Sequence, residues 1–194
     1  MNLVGHSLGG NVAAMYAGIR PQRVAKLVNL EGFGLAPTRP EQAPGRYARW
    51  LNELHEPPAL RRYKDFDELA ERLRRSNPRL SREKAAFLAG HWGREAGSDG
   101  VVLRGDPAHK IVNPVLYRYE EVRACWLQVS APVLWVDASE SDTLKRLGLS
   151  EAQHAERRSS FPKLEYVTVR DAGHMLHHDQ PEEVARLIEA FLGR

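Results

Sequence analysis

The chain has 194 residues, 42% hydrophobic and 27% charged, enough apolar material for one large domain or a domain carrying an insertion. Its 28 basic and 25 acidic residues leave a net charge of +3, and the densest basic groups, Arg61-Arg62, Arg72 with Arg74-Arg75, and Arg157-Arg158, read as solvated helix faces, which excludes a nucleic-acid partner. No apolar run approaches the roughly 20 residues that span a bilayer, the N-terminus lacks the order of a signal peptide, and a single cysteine, Cys125, permits no internal disulfide, so a cytoplasmic location is expected.

The chain opens on Val4-Gly5-His6-Ser7-Leu8-Gly9-Gly10, a strand end, a Gly-x-Ser-x-Gly turn and a helix that begins with small residues. This is the pattern of a nucleophile elbow, in which the serine hydroxyl stands above a sheet edge over a helix N-terminus. Gly5 and Gly9, two positions either side of Ser7, are expected to be small because the turn is tight. The helix runs from Leu8 to about Ile19, and Arg20-Pro21 stops it. The next strand lies within Val24 to Leu30, so strand, elbow, helix and strand form a βαβ unit with parallel strands.

After Glu31-Gly32 the texture changes. Five of the 12 prolines, Pro37, Pro40, Pro44, Pro57 and Pro58, fall within residues 33–63. Helices are expected at about 43–55, at 65–76 with Asp65 and Glu68 as a capping box, and from Ser81 onward. Residues 93–100 read as a polar loop, 101–103 as a short extended piece, and 114–127 as helical at its end. Residues 33–128 are therefore taken as a mostly helical cap, and 1–32 with 129–194 as the core. The sheet pattern resumes at Ala131–Val136, an apolar run suited to a strand buried on both faces. A capped helix follows from Ser150, then a strand at Leu164–Val169. The last helix starts at Pro181 and turns Val184, Leu187, Ile188 and Phe191 to one side.

Three landmarks occur in the order serine, acid, histidine: the elbow, the strand Pro132-Val133-Leu134-Trp135-Val136 with its acidic loop, and Asp171-Ala172-Gly173-His174 after the last strand. On these the chain resembles the C-terminal two thirds of a cap-bearing α/β-hydrolase. More loosely it resembles the serine hydrolase-like branch, whose cap carries a run similar to residues 73–81. The resemblance implies an α/β fold with about four parallel strands and a mostly helical cap. It also implies that the usual strands before the elbow are absent, leaving an exposed sheet edge open to self-association.

The expected activity is hydrolysis of carboxylic esters, with Ser7 as nucleophile and His174 as its base. Asp142 leads as the triad acid although it falls one residue past the family's usual place; Glu140 and Asp137 are the alternatives. The oxyanion is assigned to the backbone N–H of Leu8, and the family's second donor lies in a segment this chain does not contain. His6, Phe33, Trp50, Trp92 and Trp126 are the expected pocket residues, for a small-molecule substrate with an apolar group. His174, His177 and His178 form a His-x-x-His-His cluster, but no paired carboxylate motif accompanies it, so no metal or other cofactor is called for. The rival expectation is a non-catalytic half-domain that binds a partner.

Overall fold

The computed structural model describes the backbone of residues 1–194 and every side chain except that of Asp99. In chain order the elements are β1 (Asn2–His6), α1 (Leu8–Ile19), β2 (Lys26–Leu30), α2 (Ala43–His55), β3 (Arg62–Tyr63), α3 (Phe66–Ser76), α4 (Arg82–Trp92), β4 (Gly93–Glu95), β5 (Val101–Leu103), α5 (Tyr119–Trp126), β6 (Val133–Ala138), α6 (Thr143–Leu147), α7 (Glu151–Ser159), β7 (Leu164–Val169), α8 (Leu176–Asp179) and α9 (Pro181–Leu192). They form two compact units: residues 1–37 with 117–194, and residues 38–116.

The first unit is built on a parallel sheet in the order β1-β2-β6-β7. Side chains alternate across it with the period of two that a pleated strand imposes. Leu27, Val133 and Trp135 enter one apolar layer with Ala14, Ala17, Trp126 and Phe161. Val28, Leu134 and Val136 enter the opposite layer with Leu176, Val184 and Phe191. Small residues on α1 let it lie close to the sheet. A Cβ at Gly10 would stand 2.2 Å from Asn29 Oδ1, and one at Gly32 would stand 2.1 Å from the same atom. Gly9, by contrast, faces open space, so the expected need for a small residue there is not met by any neighbour. Gly5 does need one: its Cβ would fall 2.3 Å from the Gly9 carbonyl oxygen.

The second unit packs α3 on α4 over Tyr63, Leu69, Leu80, Ala85, Ala89 and Val101. Asp65 caps α3 by accepting from the Glu68 N–H at 2.8 Å, and Ser81 caps α4 through the Lys84 N–H at 3.1 Å. It also carries a three-stranded antiparallel sheet, β3-β5-β4. Its β4 corrects the reading of residues 93–100 as loop throughout: two to three residues lack a sequence period, and only pairing with β5 makes them a strand. The unit is narrower than the 33–128 expected, because Phe33 and Trp126 are buried in the core of the first unit. No helix among the described residues is long and apolar enough to cross a membrane.

One basic pair departs from the solvated reading. Arg157 on α7 is 2% exposed, and its guanidinium donates to the carbonyls of Phe33 and Leu35. Those carbonyls lie in an irregular segment that has no strand to satisfy it, so a buried cation supplies the donors. The same segment needs Gly34, whose φ is +78°, and its N–H donates to Asn11 Oδ1 at 2.8 Å.

Candidate active site

All four strands of the parallel sheet point the same way, so the segments that leave their C-terminal ends emerge together. Ser7 follows β1, Glu31 follows β2, Ser141 and Thr143 follow β6, and His174 follows β7. Ser7 adopts φ 53° and ψ −117°, a conformation L-residues avoid, and its N–H is tied to the Leu30 carbonyl at 2.8 Å. Such backbone strain costs about 1–3 kcal/mol and persists only where the surroundings enforce it. Here the enforcement is the close stacking of Gly5 on the first turn of α1.

His174 Nε2 lies 2.9 Å from Ser7 Oγ, and His174 Nδ1 lies 3.0 Å from Glu31 Oε2. Glu31 is 1% exposed, receives the Ala138 N–H at 2.7 Å on Oε1, and accepts from the Ser141 hydroxyl on Oε2. With its oxygens acting as acceptors, Nδ1 carries the imidazole hydrogen, and Nε2 is left to accept the Ser7 hydroxyl proton. Thr143 Oγ1 stands 3.0 Å from Nδ1 and 3.4 Å from Glu31 Oε2. Glu31 itself has φ 55°, and its N–H is anchored to the Val136 carbonyl at 2.9 Å, so the side chain is aimed by two strands at once.

The expected acids lie elsewhere. Asp142 is an exposed residue before α6 that pairs with Arg146 at 2.9 Å. Glu140 is exposed, with its N–H donating to Ala172 O. Asp137 is buried but turned the other way, accepting from Trp135 Nε1 at 2.7 Å and from the Tyr166 hydroxyl at 2.9 Å. Counting from Pro132, the place one residue before Asp142 is held by Ser141, and its hydroxyl donates to Glu31. The carboxylate that meets His174 is thus Glu31, from the end of the neighbouring strand β2. Sequence reasoning passed over Glu31, although a carboxylate directly after the apolar run Lys26–Leu30, on the strand next to the elbow, is a usable signal.

Around Asp137, Arg158 Nη1 donates to His154 Nδ1 at 2.7 Å, and His154 Nε2 faces Asp137 Oδ2 at 3.3 Å. Burial pushes Asp137 up to about 7, helped by the nearby charge of Glu31, and burial with two arginines pushes His154 down to about 4. His6 donates from Nε2 to the His174 carbonyl at 2.7 Å and holds the loop that carries the imidazole. Burial lowers the pKa of His6, and it lowers His177, stacked on His6 at 4.4 Å, to about 4.

A cavity of about 210 Å³ opens beside Ser7 and His174, walled by Leu8, Phe33, Leu35, Thr143, Arg146 and Leu147. Phe33 lines this cavity. His6 packs behind His174 rather than in the cavity wall, and Trp126 is fully buried against Trp135 and Phe161 as core. Trp50 and Trp92 belong to α2 and α4 of the second unit. Leu8 is the first residue of α1, and a helix's first N–H groups have no intrahelical acceptor.

A curated relative, the "Serine hydrolase-like protein" of Danio rerio, is 26% identical over 198 residues, covering 98% of this chain and 60% of the relative. The chain thus spans about 60% of that relative's length. Among solved structures, a hypothetical protein from Pseudomonas aeruginosa PAO1 superposes with a TM-score of 0.83 at 24% identity, over 100% of this chain and 68% of that one. A novel esterase from Mycobacterium tuberculosis superposes with a TM-score of 0.69 at 22% identity, over 100% of this chain and 60% of that one. Residues 2–187 match the model of the alpha/beta hydrolase family, and the chain belongs to that family.

Proposed function

We propose that the chain is a serine hydrolase that cleaves carboxylic esters by acyl transfer to Ser7. The observation that carries this reading is the imidazole of His174 lying between Ser7 Oγ at 2.9 Å and Glu31 Oε2 at 3.0 Å. In the first step Ser7 Oγ attacks the carbonyl carbon while His174 Nε2 takes its proton, and Glu31 stabilises the imidazolium. The Leu8 N–H, on the positive end of α1, receives the oxyanion of the tetrahedral intermediate. Collapse expels the alcohol with the proton returned by His174, and water then releases the acid by the same steps in reverse. The esterase among the structural neighbours and the apolar walls of Leu8, Phe33, Leu35 and Leu147 support an ester substrate.

A fluorophosphonate probe tests the reading. Ser7 is expected to be labelled in the wild-type chain and not in Ser7→Ala; absence of label on a folded chain rejects it. A second reading, a half-domain that binds a partner, rests on one feature. Strand β1 is paired on one side only among the described strands, and Val4, Leu8, Val12 and Ile19 are about half or more exposed on β1 and α1. A folded chain that stays unlabelled until a complementing polypeptide is added favours this second reading.

A further inference from the structure

The cavity beside Ser7 is apolar along Leu8, Phe33, Leu35 and Leu147, yet one of its walls is a guanidinium. Apart from Glu31 and His174, which engage each other, Arg146 is the charged side chain lining it among the described residues. Two successive 3.0 Å contacts, Arg146 Nη2 to Thr143 Oγ1 and Thr143 Oγ1 to His174 Nδ1, separate it from the imidazole. The guanidinium therefore lines the same cavity as Ser7, two contacts from the imidazole, held by Thr143 and, through Nε, by Asp142 at 2.9 Å. A guanidinium has five N–H donors, and these two contacts engage two of them. The Arg146 side chain is 54% exposed, so its solvent side stays hydrated, but a purely apolar acyl or alcohol group would offer no acceptor to the donors on the cavity side. A carboxylate at the same place would accept from the fork with charge assistance, the geometry for which arginine is suited.

Resting on the ester-hydrolase reading above, we propose that Arg146 selects the substrate: the ester cleaved at Ser7 carries a free carboxylate a few atoms from the scissile carbonyl. The cavity's size agrees, since about 210 Å³ corresponds to roughly seven waters of liquid volume, room for a short dicarboxylic half-ester. Asp142 is then a competitor for the same guanidinium. In the empty site it neutralises Arg146, and the substrate carboxylate shares or displaces it.

The test compares monomethyl glutarate with methyl pentanoate, which differ in having a carboxylate or a methyl group at the far end. Hydrolysis by the full chain is followed by pH-stat at pH 7.5, and protection of Ser7 from a fluorophosphonate by each ester gives the same comparison without turnover. The monoanion is expected to be preferred by about 10- to 100-fold in kcat/KM or in protection, the usual range for a charge-assisted hydrogen bond. That ratio is expected to fall toward one in Arg146→Gln, to be partly kept in Arg146→Lys, and to rise in Asp142→Asn, with circular dichroism confirming that each variant is folded. A wild-type ratio near one, or a preference that Arg146→Gln leaves intact, overturns the proposal while labelled Ser7 leaves the hydrolase reading standing. If Ser7 is not labelled and neither ester is cleaved, the hydrolase reading fails and the substrate assignment falls with it.

Discussion

Glu31 and Asp137 are two buried carboxylates at the ends of adjacent strands, and their surroundings give them different duties. Glu31 meets His174 and accepts from the Ala138 N–H and the Ser141 hydroxyl, so it can hold a charge opposite the imidazolium. Glu31→Gln is expected to lower kcat/KM by about 10³- to 10⁴-fold, because an amide leaves the imidazole tautomer unspecified. On a neutral ester Asp142→Asn is expected to change it by less than about threefold, as for other exposed carboxylates. Steady-state kinetics on both variants checks the assignment, and a reversed order rejects it. Asp137 has the Arg158 guanidinium 3.6 Å from Oδ2, but burial outweighs it. Its pKa rises from 3.8 to about 7, so between those values the folded protein keeps a proton that the unfolded chain has lost. Stability from this group therefore falls as pH rises through that window. His154, lowered from 6.5 to about 4, acts the opposite way over most of the same range, because the unfolded chain binds the extra proton there. Asp137→Asn isolates the first effect: its urea midpoint relative to wild type is expected to climb from pH 5 to pH 8. A difference flat in pH rejects the assignment.

Among the elements, the elbow between β1 and α1 has the tightest backbone packing near Ser7. Gly5 and Gly10 are the glycines that it cannot spare, since added Cβ atoms would stand 2.3 Å from the Gly9 carbonyl and 2.2 Å from Asn29 Oδ1. Gly10→Ala is expected to destabilise by about 1–3 kcal/mol, the range for overpacking. Gly9→Ala, with nothing within 4 Å, is expected to stabilise α1 by about 0.5–1 kcal/mol through helix propensity. Thermal melts of the two variants check the order. Most elements were readable as patterns: the small-residue helix at Leu8–Ile19, the capped helices after Asp65, Ser81 and Ser150, and the apolar stripe of α9. Ser150 and Gln153 form the full reciprocal capping box. The strand β4 was not readable, because so short a segment owes its conformation to partners six to ten residues away rather than to its own sequence.

At the scale of the whole molecule, the side of β1 that pairs with no other described strand is the feature most open to association. Val4 is 49% exposed on that strand and Val12 is 60% exposed on α1, with no charged side chain on β1 to discourage edge pairing. Wild type is expected to associate with rising concentration in sedimentation velocity, and Val4→Lys with Val12→Lys to shift it toward monomer. Indifference to the double substitution rejects edge-driven association. Local sequence determined what depends on neighbours a few residues apart: the βαβ order, the helix caps, the serine on its turn and the histidine after the last strand. Which carboxylate meets His174 was decided by the tertiary structure alone. Glu31 and His174 are 143 residues apart in the chain, and only the parallel register of β2, β6 and β7 brings their side chains together at one edge of the sheet. The same register gave Ser141 and Thr143 to that network and left Asp142 outside it, because a shift of one residue after a strand turns a side chain from the site to the solvent.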